Sequence, residues 1–196
     1  MSAAVLYIII TMENNMIDEV KSILVGEDEI NSIVERIAAQ ISEDYKDKRL
    51  LLLCTLKGAV VFMGDLMKKV SIPVEIDFMK VSSYGAGTVS SGGVNILLDL
   101  HRNDLADVDI LVVEDIIDSG RTLSYLVEYL KLKGARSVRT ATMLDKPDRR
   151  VVELTPDYVG KVIPDEFVVG YGLDYAERFR ALPYIGILKP EVYENK

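Results

Sequence analysis

The sequence has no tryptophan, one cysteine, one histidine and no long apolar run among its 196 residues. Each shortage excludes something. A lone Cys54 cannot form an internal disulfide, and it points to a reducing cytoplasm. A lone His101, with no Cys or His partner nearby, does not make a zinc site and reads as a solvated loop residue. The apolar stretch at residues 3–10 is far shorter than the ~20 residues a spanning helix needs. No basic segment precedes it, which argues against a signal peptide as well as a membrane span. Basic side chains are also in deficit: 23 Lys and Arg stand against 31 Asp and Glu, a net charge of −8. A coat for nucleic acid or for an anionic membrane needs a basic face, so neither partner is expected. A local electropositive site for a small anion remains compatible with that balance.

What is present is a core. Hydrophobic residues make up 49% of the chain and charged ones 28%, the balance of one globular domain of ordinary size. The apolar period alternates between helix and strand. Ile30, Ile33, Val34, Ile37, Ala38 and Ile41 form one helical stripe, with Glu27 and Asp28 suited to its N-terminus. Residues 50–55 read as a buried strand, 59–70 as a helix, 74–82 as a strand, and 95–100 as a strand returning from a Gly/Ser-rich stretch at 83–93. Residues 109–114 form the next apolar strand. Leu123, Leu126, Val127 and Leu130 mark a helix that Gly134 ends, and strands follow at 137–144 and 167–169. This alternation predicts an α/β fold with a central, mostly parallel sheet covered by helices on both faces. Residues 1–24 are expected to be a partly disordered N-terminal extension, with Met12 and Met16 as alternative starts, ahead of a single domain over 25–196.

Ligands of such sheets collect at the carboxyl ends of the strands. Four segments fall there: Leu56-Lys57-Gly58, residues 114–122, Asp145-Lys146-Pro147 and residues 169–174. The second is the richest. An apolar strand delivers Glu114 and Asp115, then Asp118-Ser119-Gly120-Arg121-Thr122 opens a helix. Hydroxyls and free N–H groups at a helix start cradle a phosphate, with the helix dipole and Arg121 adding positive charge. Acidic residues beside such a cradle would repel the phosphate unless they served hydroxyls or a metal. A sugar phosphate with vicinal hydroxyls, accompanied by Mg2+, fits both halves. Gly85-Ala86-Gly87 is not a dinucleotide fingerprint, because the third Gly is missing and no helix follows.

The central segment resembles the phosphoribosyl-diphosphate signature of type I phosphoribosyltransferases. The chain from about Val25 to Leu188 is similar to the bacterial hypoxanthine (guanine) branch of that family. The resemblance also rests on Leu56-Lys57-Gly58-Ala59, Ser82-Ser83-Tyr84-Gly85, Asp145-Lys146-Pro147, Pro156-Asp157-Tyr158-Val159-Gly160 and the run from Phe167 to Tyr175. It implies the type I phosphoribosyltransferase fold with a small purine-binding hood built from both ends of the chain. The reaction it implies moves the phosphoribosyl group of 5-phospho-α-D-ribose 1-diphosphate to N9 of hypoxanthine or guanine, giving IMP or GMP and diphosphate.

The roles it implies are specific. Glu114 and Asp115 meet the ribose hydroxyls, directly or through Mg2+, and Asp118 is the general acid/base at purine N7. Residues Asp118, Ser119, Gly120, Arg121 and Thr122 hold the 5'-phosphate. Lys57, Gly58, Ser83, Tyr84 and Arg180 lie at the diphosphate, with a peptide bond between Lys57 and Gly58 that is often cis in the family. Lys146 donates to purine O6, Phe167 stacks on the ring, the Val168 backbone bonds the N1/N2 edge, and Asp174 completes the purine site while holding a second Mg2+. Residues 83–93 form a mobile lid, and the protein is a dimer or tetramer. Two other readings share the fold: a sister enzyme preferring xanthine, and a nucleotide-binding transcriptional regulator. The net charge and the Lys146 and Phe167 motifs count against the regulator.

Overall fold

The computed structural model describes residues 18–83 and 94–194. The described residues form nine strands: β1 (Val20–Val25), β2 (Leu50–Thr55), β3 (Val74–Ser83), β4 (Val94–Leu98), β5 (Asp109–Ile117), β6 (Ser137–Asp145), β7 (Tyr158–Val162), β8 (Val168–Val169) and β9 (Ile185–Leu188). Among them lie four α-helices: α1 (Glu27–Asp44), α2 (Val60–Lys69), α3 (Arg121–Leu132) and α4 (Pro190–Tyr193). None of these helices is long and apolar enough to cross a membrane.

The chain divides into two compact units. The larger, Asn31–Asp165, is built on a six-stranded sheet of order β4-β3-β2-β5-β6-β7. Its inner pairs are parallel, and only β4 runs antiparallel, against β3. Sequence explains the centre. Leu50-Leu51-Leu52-Leu53-Cys54-Thr55 is apolar on both faces until its last residue, and every position is buried, as a middle strand of a parallel sheet requires. Each of those leucines contributes ~1.5–3 kcal/mol by leaving water. The connection β2–α2–β3 steps one way across the sheet and β5–α3–β6 steps the other. Parallel crossovers are right-handed, so opposite steps put α2 and α3 on opposite faces. Leu51, Leu53, Ile110 and Val112 accordingly share one core cluster with Leu123, Leu126 and Leu130 of α3.

The smaller unit joins the chain's two ends, up to Ile30 and from Glu166 onward. Its antiparallel sheet has the order β1-β9-β8. Val169, Phe179 and Leu188 form its core, with Val20, Tyr175, Leu182, Val192 and Tyr193 packed around them. This corrects the expected extension over residues 1–24. Residues 20–24 belong to β1, and Val20 pairs with Leu188. Val20-Lys21-Ser22-Ile23 carries only a weak alternating pattern, and the strand is held by its remote partner rather than by local propensity.

One buried charge anchors the amino end of β5. Arg136 donates through Nε to Asp109 Oδ1 at 3.2 Å and through Nη2 to the other oxygen, while the Ser137 hydroxyl donates at 2.5 Å. The Arg136 hydrogen bonds hold the Asp109 carboxyl below the usual range, outweighing its burial. A depressed carboxylate pKa contributes stability that is present above the unfolded-state pKa and is lost as pH falls through the folded-state pKa. Asp109→Asn is therefore expected to cost about 1–3 kcal/mol near neutrality, and less as pH falls below about 4. Urea titrations at both pH values check this; an equal cost at each would mean that the Asp109 charge contributes nothing.

Candidate active site

β2 and β5 are neighbours, and their connections depart in opposite directions. That is a topological switch point, where a crevice opens beyond the carboxyl ends. β2 delivers Leu56-Lys57-Gly58 to it and β5 delivers residues 114–120. The Leu56 N–H donates to the Met79 carbonyl at 2.8 Å, which ties the first loop to β3. The cis peptide here is Leu56–Lys57, one bond before the Lys57–Gly58 bond that the resemblance implies. Neither bond precedes a proline, so nothing local in the sequence tells the two apart. Lys57 is exposed. Gly58 lies against Asp115: a Cβ built on it would sit 1.5 Å from Asp115 Oδ2 and 2.6 Å from its Cγ. Only a glycine lets the first loop meet the second.

β5 continues to Ile117, three residues past its expected end at Glu114, because Ile116 and Ile117 still pair with Leu144 and Asp145 of β6. Glu114 and Asp115 thus alternate along a continuous strand, close enough for their carboxylates to repel each other. The Asp115 Oδ1 accepts from the Ile116 N–H at 2.8 Å. Burial, and then repulsion from Asp115, push the Glu114 carboxyl well above the ordinary range, although a hydrogen bond with Thr55 opposes both. The Thr55 hydroxyl also donates to the Val113 carbonyl at 3.0 Å. Burial, followed by the same two carboxylates, pushes the Cys54 thiol up to about 12, so it is no nucleophile.

After the strand the chain turns sharply. Gly120 has φ +78°, and α3 begins at Arg121. Ser119 Oγ accepts from the Arg121 N–H at 3.4 Å. Glu114, residues 116–120, Thr122 and Leu123 line a polar cavity of about 250 Å³ at this helix start, and Arg121 is exposed beside it. The Asp118 side chain is 48% exposed and lies 3.4 Å from the Nζ of Lys146, which is 8% exposed. A buried ammonium is costly unless paired, and here its partner is the carboxylate at the cavity's edge. Three hydrogen bonds join this turn to the β6–β7 connection: Lys146 N–H to Ile117 O at 2.9 Å, Arg150 Nε to Asp118 O at 3.1 Å, and Val151 N–H to Ser119 O at 3.1 Å. Arg150 and Thr55 are site residues that reading the sequence did not single out. Arg150 follows Arg149 in a polar run that looks like solvated surface, and Thr55 looks like the plain end of an apolar strand.

The smaller unit holds the remaining expected residues. Phe167 is 37% exposed; it stacks on Tyr193 with centroids 4.8 Å apart and meets Tyr175 edge-on at 5.6 Å. Val168 is buried in β8, opposite Ile187. Asp174 Oδ1 lies 2.7 Å from Arg180 Nη2, and Asp174 Oδ2 accepts from the Glu177 N–H at 2.9 Å. Arg180 Nη1 donates to the Gly172 carbonyl at 2.8 Å, while its buried Nε has no partner among the described residues. Ser83 ends β3 opposite Val94; Tyr84 and the rest of the expected lid lie outside the described residues.

The donor set fits Mg2+ better than a caged metal. Among the described residues no group of three or more acidic, His or Cys side chains gathers at one point. Mg2+ binds through one or two carboxylates and substrate oxygens and keeps several waters. A carboxyl such as Glu114, whose charge is disfavoured by burial and by Asp115, gains most from a cation at its side.

Comparison with known proteins agrees with this geometry. A family model described as a phosphoribosyl transferase domain matches residues 26–176. The hypoxanthine-guanine phosphoribosyltransferase of Bacillus subtilis is 51% identical over 177 residues, covering 90% of this chain and 98% of that protein. The bifunctional protein TilS/HprT of Listeria monocytogenes serotype 4b is 54% identical over 181 residues; these are 92% of this chain, which spans 28% of the length of that larger relative. A hypoxanthine phosphoribosyltransferase structure from Staphylococcus aureus superposes with a TM-score of 0.87 at 47% identity, covering 92% of this chain and 97% of that one. Because the match takes in both loops of the switch point and the run after Phe167 alike, the chain belongs to the phosphoribosyltransferase family and groups with its hypoxanthine-guanine members.

Proposed function

We infer that this protein transfers the 5-phosphoribosyl group from phosphoribosyl diphosphate to N9 of hypoxanthine or guanine, releasing diphosphate. The observation that carries this reading is the Lys146–Asp118 pair beside the anion loop. A 6-oxopurine offers adjacent O6 and N7 atoms along one edge. The buried Lys146 ammonium donates to O6, and the half-exposed Asp118 carboxylate holds the proton at N7. Adenine carries an amino donor where O6 would be, so it leaves the Lys146 donor unmet. Mismatches of this kind discriminate by orders of magnitude.

At the sugar, Asp115 and Glu114 accept from the ribose hydroxyls and orient C1 toward N9. The turn at 118–122 binds the 5'-phosphate through N–H groups and the Ser119 and Thr122 hydroxyls. Lys57, the Gly58 backbone, Ser83, Tyr84 and Arg180 receive the diphosphate. In the smaller unit, Phe167 stacks on the purine, the Val168 backbone reads its N1/N2 edge, and Asp174 stands beside Arg180. Glu114 and Asp115, with Asp174 at the diphosphate, would hold Mg2+, which would supply positive charge against the leaving group. As diphosphate departs, positive charge grows at C1, and the nearby carboxylates stabilise it.

The enzyme acts in the cytoplasm, where the buried Cys54 stays reduced. It acts as a dimer or tetramer, for which Val60 and Met67, both exposed and seven residues apart on α2, offer apolar surface. Transfer assays with hypoxanthine, guanine, xanthine and adenine, each with phosphoribosyl diphosphate and Mg2+, test the whole reading. Product from hypoxanthine or guanine and none from adenine is the expected result. Product from xanthine alone would make it the sister enzyme, and no product at all would overturn the activity.

A further inference from the structure

Arg150 belongs to none of the motifs that define the site, yet its guanidinium meets three parts of the larger unit at once. Nε donates to the Asp118 carbonyl at 3.1 Å, Nη1 to the Leu154 carbonyl, and Nη2 to the Asp145 carboxylate. The Arg150 and Asp145 side chains are 13% and 11% exposed. The guanidinium charge is therefore satisfied inside the protein, and it does not act as a free cation at the cavity.

The carbonyls around it show what the contact does. Those of Ile117, Asp118 and Ser119, three in a row, are all taken by the β6–β7 connection: the first by Lys146 N–H, the second by Arg150, the third by Val151 N–H. In a planar trans peptide the N–H points opposite the carbonyl it adjoins. Fixing those three carbonyls toward one side therefore turns the N–H groups of Asp118, Ser119 and Gly120 toward the other. Successive N–H groups aimed one way make an anion nest. Arg150 also sets the space for the turn, because a Cβ on Gly120 would lie 2.7 Å from Arg150 Cδ and 3.2 Å from its Nε.

We propose that Arg150 is a positioning residue for phosphate-monoester binding: by holding the Asp118 carbonyl and packing on Gly120, it aims the N–H groups of the turn at the substrate's 5'-phosphate. The proposal rests on the reading of residues 118–122 as the 5'-phosphate site. Of the three carbonyl contacts it is the one a side chain makes, so it is the one that a substitution can remove while the backbone stays intact.

The test is calorimetry with two ligands. Ribose 5-phosphate reports on the turn; inorganic diphosphate with Mg2+ reports on Lys57, Gly58 and Arg180. Arg150→Ala is expected to weaken ribose 5-phosphate by about tenfold or more and to leave diphosphate within about twofold. Arg150→Lys keeps a charge beside Asp145 but lacks the planar fork that meets three acceptors, so its affinity falls in between. In turnover, KM for phosphoribosyl diphosphate rises more than kcat falls, and added guanidinium chloride at low millimolar concentration restores part of the Arg150→Ala loss without helping the wild type. A purely structural role would not give that rescue. If the wild type fails to bind ribose 5-phosphate, the reading of the turn itself is wrong. If the wild type binds it and both variants bind it equally well, or if both ligands weaken together, Arg150 does not position the turn. Should Arg150→Ala melt below the assay temperature, Arg150→Lys decides by the same comparison.

Discussion

Asp118→Ala is expected to lower turnover with hypoxanthine by more than about tenfold, inside the ~10²–10⁴ range that a positioned proton-transfer group provides. The expectation follows from where the carboxylate sits. Asp118 lies just past β5, at the edge of the cavity, with its side chain 48% exposed and Lys146 Nζ 3.4 Å away. Its backbone carbonyl, not its side chain, carries the bond to Arg150. Removing the carboxylate therefore leaves the turn stitched, although it takes the partner from the nearly buried Lys146 ammonium and so costs some stability. The melting temperature should drop while the protein stays folded at the assay temperature, and kcat falls by far more than that loss of stability explains. Steady-state kinetics with saturating phosphoribosyl diphosphate, run beside a melting curve, separates the two effects. Wild-type turnover in a folded Asp118→Ala protein would remove Asp118 from the proton transfer.

Much of this arrangement is legible in the sequence because it is local. The four leucines of β2 are apolar on both faces and leave no choice but a central strand, and the same holds for Ile110 to Val113 in β5. A small, hydroxyl-bearing run after such a strand must leave it and start a helix. What is not legible depends on partners far away in the chain. β1 pairs with β9 across more than 150 residues, and nothing in Val20-Lys21-Ser22 announces that. β7 and β9 are short, and their pairing decides them more than their composition. β5 outlasts its apolar run because β6 continues beside it. Arg150 reaches Asp118 across a separation of 32 residues, and only the fold shows that a charged residue in a polar run points inward. In the sequence Asp174 and Arg180 stand six residues apart with separate expected roles, metal ligand and diphosphate contact; in the fold they pair with each other at 2.7 Å.

Gly58→Ala should have an effect as large as that of Asp118→Ala, by a different route. The new methyl would sit 1.5 Å from Asp115 Oδ2 and 2.6 Å from its Cγ, far inside van der Waals contact. Two things could yield. The first loop could retreat, but the Leu56 N–H is bonded to Met79 O at 2.8 Å and Ala59 behind it is fully buried. The Asp115 carboxylate could swing away instead, giving up its 2.8 Å bond from the Ile116 N–H, and this is the cheaper change. Either movement shifts a proposed ribose or diphosphate contact by about an ångström or more, and displacements of that size cost on the order of 10²-fold in rate. Overpacking at such a site costs stability as well, typically about 1–3 kcal/mol. Gly64→Ala supplies the control: Gly64 lies within α2, and a Cβ there meets nothing within 4 Å. That variant should be as active as the wild type and more stable by roughly 0.5–1 kcal/mol, the helix preference of Ala over Gly. The discriminating measurement is kcat/KM for phosphoribosyl diphosphate in both variants, with melting curves beside it. If Gly58→Ala kept wild-type kcat/KM, the Asp115 carboxylate could move without loss of binding, and its contact with the ribose would have to be abandoned.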